Sequence, residues 1–211
     1  MMVELSENNE SVAAVVVSFS REEDIKKVIH NLKNQTREPD EIIVIFQGTN
    51  TRILEWLNQQ SGIIVHQQGN LGSAGGFSTG FKMAIARGHH WTWMLDDDAV
   101  PELNALEEMT SCKYFDSTQT GFLSSVVVKP DGQVYMSPVP DEANKWYGSV
   151  LQDGCVPVIV SSWIGCLVSS KSILDFGLPM EEFFTYDEDF ELTSRIARSR
   201  ACYCVIRSTI V

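Results

Sequence analysis

The chain reads as an α/β protein, with a mostly parallel central sheet in its first half and a mixed half after it. Three observations lead there. Val12-Ala13-Ala14-Val15-Val16-Val17 and Glu41-Ile42-Ile43-Val44-Ile45-Phe46 are nearly continuous apolar, β-branched runs, the pattern of strands covered on both faces. Between them Ile25, Val28, Ile29 and Leu32 recur at helical spacing. The alternation of strand and helix then continues to a third apolar run, Ile63-Ile64-Val65, the order that right-handed parallel crossovers produce.

Element by element, residues 1–10 are polar and are expected to form a loose tail. After the first strand Ser18-Phe19-Ser20 lets the chain turn into a helix over Glu22 to Leu32, and Pro39-Asp40 closes the loop before the second strand. Gln47-Gly48-Thr49-Asn50 is a turn, followed by a short helix through Leu54 and Leu57 and then the third strand. A helix over Ser78 to Arg87 precedes a fourth strand, Trp91 to Leu95, which runs into Asp96-Asp97-Asp98. The second half is expected to hold a helix from Glu102 to Met109. Strands over Phe122 to Val128 and Gln133 to Met136 are joined by the turn residues Lys129-Pro130-Asp131-Gly132. A loop containing Pro and Gly comes next. Strands over Val156 to Ser161 and Trp163 to Ser169, a helix over Glu188 to Arg198 and a last strand over Tyr203 to Val211 complete the chain. With no repeat and no low-complexity linker, residues 11–211 read as one domain.

Charge narrows the partners. Sixteen Lys and Arg stand against 28 Asp and Glu, a formal net charge of -12 in 211 residues, and no local basic stripe offsets it. Nucleic acid is therefore not expected as a partner. The five cysteines show no Cys-x-x-Cys pair and no zinc-ligand spacing, so buried reduced thiols are expected. Met1 to Glu10 carries acids where a signal peptide needs basic residues, and Val12 to Val17 is too short to span a bilayer; a cytoplasmic location is expected.

Three motifs can carry chemistry. Adjacent carboxylates at a strand end repel one another unless something positive compensates, and a divalent cation such as Mg²⁺ or Mn²⁺ suits Asp96 and Asp98, which alternation points the same way. An exposed acidic turn before a helix is the other reading of the same triplet. Asn70-Leu71-Gly72-Ser73-Ala74-Gly75-Gly76 allows close backbone approach to a ligand ahead of a helix N-terminus that favours an anion, or is a plain flexible loop. Asp187-Glu188-Asp189-Phe190-Glu191 with Arg195 opens a helix whose dipole stabilises acids, and one of those carboxylates in a cleft could instead act as a general base.

Taken together and in this order, these segments resemble the inverting family 2 glycosyltransferases of the GT-A fold. Val15 to Phe19 is similar to that family's first strand, and Leu32 to Thr36 with Pro39 to Val44 to its first helix and second strand. Asn70-Leu71-Gly72 with Ala74-Gly75-Gly76, and Leu95 to Pro101, are the most specific matches. Trp163-Ile164-Gly165 resembles the acceptor-side strand, and Glu188-Asp189-x-Glu191-Leu192-x-x-Arg195 the catalytic-base helix. Within the family the likeness is greatest to the rhamnosyltransferase and galactofuranosyltransferase group.

The resemblance implies a Rossmann-like nucleotide-binding half joined to a mixed acceptor-side half. It implies transfer of a sugar from a UDP- or dTDP-linked donor to a hydroxyl of a glycan or lipid-linked acceptor, with possible peripheral association at the inner face of a membrane. Asp189 would be the base, with Glu188, Glu191 and Arg195 as helpers. Ser18, Phe19, Gln47, Asn70, Gly72, Ala74, Gly75, Gly76, Asp96 and Asp97 would hold the donor. Asp96 and Asp98 would hold Mn²⁺ or Mg²⁺, while Trp163, Gly165 and Asp187 would border the acceptor. Two departures accompany the match. Ile45-Phe46-Gln47-Gly48 lacks the acid that many relatives place at the end of the second strand, which leaves the nucleotide open. None of His30, His66, His89 or His90 lies where relatives supply a late metal ligand, and the expectation is a catalytic core cut short at Val211. Two other readings are a silent nucleotide-sugar binder and a nucleotidyltransferase, although the latter would carry a Gly-rich basic loop where Ser18 to Glu22 stands.

Overall fold

The computed structural model describes residues 10–135, 138–141 and 146–211. Its strands are β1 (Val12–Ser18), β2 (Glu41–Phe46), β3 (Ile63–Gln67), β4 (Trp91–Asp96), β5 (Thr120–Val127), β6 (Val139–Pro140), β7 (Cys155–Val160), β8 (Cys166–Ser169) and β9 (Ala201–Ile210). They form a nine-stranded sheet in the order β3-β2-β1-β4-β8-β5-β9-β7-β6. The pairs β3-β2, β2-β1 and β1-β4 are parallel, as the apolar runs predict. From β8 onward the sheet is mixed: β8 is antiparallel to both neighbours, β5 and β9 are parallel, and β7 is antiparallel to β9.

Alternation along β1 divides the core into two layers. Val12, Ala14 and Val16 face α1 (Glu22–Lys33), α2 (Thr51–Asn58) and α4 (Ala105–Thr110), which bury Ile25, Ile29, Leu32, Ile53, Leu57, Leu106 and Met109. Ala13, Val15 and Val17 face α3 (Gly72–Ala86), α6 (Ser170–Phe176) and α7 (Glu188–Ala197), which bury Phe77, Phe81, Ile173, Leu192 and Ile196. Each such side chain contributes roughly 1.5–3 kcal/mol by leaving water, so this two-sided covering is what holds β1 at the centre.

Local departures from the expected elements have identifiable causes. Helix α3 begins at Gly72 rather than Ser78, so most of the glycine cluster is helix and not loop. Tertiary packing outweighs the helix-weakening effect of glycine here: a Cβ at Gly80 would lie 2.3 Å from Val15 Cγ1, and one at Gly76 2.7 Å from Val17 Cγ1. The small residues let α3 lie flat on β1.

Helix α4 starts at Ala105 instead of Glu102, because the preceding backbone is held elsewhere. Glu102 N bonds Thr209 O at 3.0 Å, and Glu102 O accepts from Gln35 Nε2 at 2.7 Å. The turn at Lys129 to Gly132 forms, with Gly132 N donating to Lys129 O at 2.8 Å. The strand expected after it is reduced to a single bridge between Val134 and Val128, and Met136 lies outside the described residues. Helices α5 (Trp146–Asp153) and α6 occupy stretches with no helical expectation. Of the expected tail, residues 1–9 lie outside the description, whereas the Glu10 carboxylate is anchored by Trp91 Nε1 at 2.6 Å and Ser117 N at 2.9 Å.

Candidate active site

Parallel strands β1, β2 and β4 end on the same side of the sheet, and a cleft of about 340 Å³ opens there. Ser18, Phe19, Arg21, Gln47, Asn70, Gly72, Ser73, Asp96 and Asp97 line it, with Phe184 and Thr185 from the segment before α7. In open α/β sheets the crevice beyond the strand ends is where ligands bind.

The three aspartates have different surroundings. Asp97 is buried and its carboxylate accepts from Ser18 Oγ at 2.9 Å, Phe19 N at 3.2 Å and Arg21 Nη1 at 3.3 Å. It therefore fixes the β1 turn, and burial holds its pKa above the ordinary carboxylate value. Asp98 is exposed and ion-paired to the same Arg21 guanidinium. The positive group that a carboxylate triplet needs is thus supplied by Arg21, a residue that sequence reading had not placed in the site. Only the sheet order, which sets the end of β1 beside that of β4, brings Arg21 to the aspartates.

Asp96 sits half-buried at the cleft floor, and no hydrogen bond among the described residues reaches its carboxylate. Burial first, then the neighbouring Asp98, Asp97, Asp189 and Glu188, raises its pKa to about 7. No three His, Cys, Asp or Glu side chains among the described residues converge as a ligand set for a metal ion. Asp96 and Asp98 remain a two-carboxylate, all-oxygen pair beside a cleft. That fits Mg²⁺ or Mn²⁺, which take one or two protein carboxylates and complete their shell with water and substrate phosphate.

The glycine segment contributes less to the cleft than expected. Asn70 Oδ1 accepts from Gly72 N at 3.0 Å, and the Gln47 amide clamps the same turn, donating to Gly72 O at 2.8 Å and accepting from Leu71 N at 2.9 Å. Gly72 and Ser73 line the cleft, whereas Ala74, Gly75 and Gly76 are buried in α3 and do not reach it. At the N-terminus of α3, Gly72 N and Ala74 N have partners within the chain, Asn70 Oδ1 and Phe184 O, the latter at 3.1 Å, and Ser73 Oγ donates to the Glu188 carboxylate. This helix end therefore offers an anion fewer free N–H groups than a bare helix start would.

Helix α7 delivers the other acids. Asp189 is half-buried, accepts from Phe190 N at 2.7 Å and from the Trp163 backbone, and has a pKa raised to about 6 by burial and by Glu188. Glu188 is 3% exposed, with one oxygen on Ser73 and the other, Oε2, buried without a hydrogen-bond partner among the described residues. Glu191 and Arg195 do not join the site. They form a two-point pair at 2.9 and 2.7 Å, and Arg195 also donates to Phe176 O and Leu178 O, pinning α7 to the end of α6. Asp187 is exposed in a left-handed conformation at the N-cap.

The acceptor-side expectation fails for two residues. Trp163 is 2% exposed, with its ring against Phe77 and Phe81 at centroid distances of 5.4 and 5.8 Å, so no face is free for a sugar. Its segment is a turn, not a strand, because Gly165 takes φ +74 where a Cβ would meet Ile210 at 2.5 Å. Beside Asp98 there is instead a mostly apolar groove of about 230 Å³, lined by Val127, Pro130, Tyr135 and Ile164 among others.

A parallel α/β half with a strand-end acidic cleft, joined to a mixed half that carries a second carboxylate cluster, defines a glycosyltransferase of the GT-A type. Residues 13–151 match the model for glycosyl transferase family 2, and the chain belongs to that family. It is 28% identical over 209 residues to galactofuranosyltransferase GlfT1 of Mycolicibacterium smegmatis, covering 91% of this chain and 67% of that protein. It is 27% identical to GlfT1 of Mycobacterium tuberculosis, covering 90% and 66%. The chain thus spans about two thirds of the length of the curated relatives it matches. Among solved structures, GalNAc-T7 with UDP, GalNAc and Mn²⁺ superposes with a TM-score of 0.78 at 13% identity, over 97% of this chain and 44% of that one. Staphylococcus aureus TarS 1-349 in complex with UDP gives 0.70 at 14%, over 95% and 59%.

Proposed function

We propose that this chain carries the catalytic core of an inverting glycosyltransferase that moves a sugar from a nucleoside diphosphate to an acceptor hydroxyl. The observation that carries the reading is the meeting of two acid groups from distant parts of the chain. Asp96 to Asp98 end β4 and Asp189 opens α7, yet Asp96 and Asp189 lie close enough for one charge to raise the other's pKa. A nucleotide in the cleft places its diphosphate toward Asp96 and Asp98. A divalent cation held by those two carboxylates would supply neutralisation of the negative charge that grows on the leaving diphosphate.

Asp189 takes the proton from the acceptor hydroxyl as the oxygen attacks the anomeric carbon and the bond to diphosphate breaks on the opposite side. A carboxylate titrating near 6 is mostly charged at neutral pH, while it remains basic enough to accept that proton. One displacement inverts the anomeric configuration and needs no carboxylate nucleophile. The groove beside Asp98 supplies the acceptor approach that Trp163 does not. The names of the relatives, a galactofuranosyltransferase and structures that hold UDP, support a UDP-linked donor, including a galactofuranosyl donor.

The test is thermal stabilisation by UDP- and dTDP-sugars with and without Mn²⁺, using Asp98→Ala as control. Mn²⁺-dependent stabilisation of the wild type by one nucleotide, lost in the variant, is expected. No stabilisation by any nucleotide, or an equal response of the variant, would overturn the assignment. Binding without turnover would favour a silent nucleotide-sugar binder.

A further inference from the structure

Arg21 is the N-cap residue of α1, and its carbonyl accepts from Ile25 N at 3.1 Å, so the start of the helix fixes where the side chain leaves the backbone. From there the guanidinium reaches two of the three aspartates. Its Nη1 meets Asp97 Oδ1 at 3.3 Å and also Asp98 Oδ2. Asp97 does not depend on that contact, because Ser18 Oγ and Phe19 N both donate to its other oxygen. Asp98 has no other hydrogen bond or ion pair among the described residues. Glu22, the acid next to Arg21 in the chain, is already taken by Lys26 at 2.9 Å and Arg52 at 3.7 Å. The Arg21 and Asp98 side chains are 53% and 48% exposed, so water or an ion can replace either partner at small cost.

We propose that Arg21 is a built-in counter-ion that holds the Asp98 carboxylate until a divalent cation displaces it, and that this exchange couples cation binding to nucleotide binding. The inference rests on the reading of Asp96 and Asp98 as the cation's two carboxylates. A guanidinium on Asp98 takes one of those two ligands and repels an incoming divalent charge, so the cation is held weakly in an empty cleft. Arg21 also lines the cleft beside Asp96 and Asp97. Once it leaves Asp98, a diphosphate in that cleft offers anionic oxygens that match the planar fork of its N–H groups. The nucleotide thus restores to Arg21 the partner that the cation removes. Each ligand therefore tightens the other through this side chain, beyond any direct contact between cation and phosphate.

Binding of Mn²⁺ to the full chain is followed by the electron paramagnetic resonance signal of the free ion, with and without UDP. Wild type, Arg21→Gln, Arg21→Lys and Asp98→Ala are compared. Without UDP, Arg21→Gln should bind Mn²⁺ about three- to tenfold more tightly than wild type, a gain that mere damage to the fold would not produce. Arg21→Lys, which keeps the charge, should show only a small part of that gain. The factor by which UDP tightens Mn²⁺ binding should shrink in Arg21→Gln by at least the same amount. Mn²⁺ binding in Arg21→Gln that equals or falls below that of wild type, or an equal gain in Arg21→Lys, overturns the proposal. Asp98→Ala separates this failure from that of the underlying reading. If it loses Mn²⁺ while Arg21→Gln gains nothing, the counter-ion role alone fails. If it binds Mn²⁺ as wild type does, or if no form binds Mn²⁺ even with UDP, both fall. Arg21→Ala removes the same charge and replaces Arg21→Gln should that variant not fold.

Discussion

Gly76→Ala separates two roles for the glycine segment, ligand contact and helix–sheet packing. An added Cβ would stand 2.7 Å from Val17 Cγ1 and 2.9 Å from Gln47 Nε2, so Val17 or α3 must move by about 1 Å to restore ordinary contact. Overpacking of this kind costs roughly 1–3 kcal/mol, and replacing a mid-helix glycine by alanine returns about 1 kcal/mol. The net expectation is destabilisation by about 1 kcal/mol, a fall in Tm of about 2–4 °C for a chain of this size. Val17→Ala removes the two methyls that the new Cβ meets. Alone it should cost about 1–2.5 kcal/mol, and in the double variant the two losses should fall short of their sum by at least 0.5 kcal/mol. Urea unfolding of the four proteins measures the cycle. An unchanged or raised stability in Gly76→Ala, or strict additivity in the double variant, would refute the packing argument and return Gly76 to the donor cleft.

Other expectations follow from the same geometry. Asp189→Asn should retain donor stabilisation while transfer in a preparation with acceptor falls by about 10²–10⁴; loss of donor binding would mean that Asp189 is structural. Glu41 accepts from Arg87 at 2.5 and 2.6 Å and meets His89 at 3.1 Å, contacts that hold its pKa down to about 2. A carboxyl lowered on folding stabilises above its unfolded pKa and stops doing so as pH falls through the folded one. Glu41→Gln should therefore cost about 1 kcal/mol at pH 7, after allowance for solvent screening, with the gap to wild type closing between about pH 4.5 and 2 in urea titrations. Trp163→Ala should cost about 3–5 kcal/mol and Trp163→Phe much less, because the buried Nε1 has no hydrogen-bond partner among the described residues to lose; a large, equal loss in both would contradict this.

What could be read before the structure was what depends on local pattern. The strands β1, β2 and β4 and helices α1 and α7 carry their periodicity in their own residues, and each appears within a residue or two of its expected bounds. Burial on both faces forces an apolar run whatever the surrounding order, which is why the parallel half was legible. The helices α5 and α6, of eight and seven residues, are too short to display a helical apolar period, although Ser169 caps the start of α6 and Gly177 follows its end.

The site shows the same division. Asp96 to Asp98 and Asp189 were visible because a carboxylate cluster at a strand end or helix start is costly enough to stand out. Their surroundings were not, since Arg21 reaches the aspartates only through β1-β4 pairing and Phe184 reaches α3 only through the return of the chain before α7. Residue type alone also misdirected the reading of Trp163 and Gly76. A tryptophan beside a site can be a sugar platform or a core wedge, and a glycine can admit a phosphate or a neighbouring strand. In this chain Phe77 and Phe81 take the indole, and Val17 takes the space at Gly76. The glycines that resembled a ligand loop thus let α3 settle on β1, while Gln47 clamps the Leu71-Gly72 turn, and Gly72 lines the same cleft as Asp96 and Asp97.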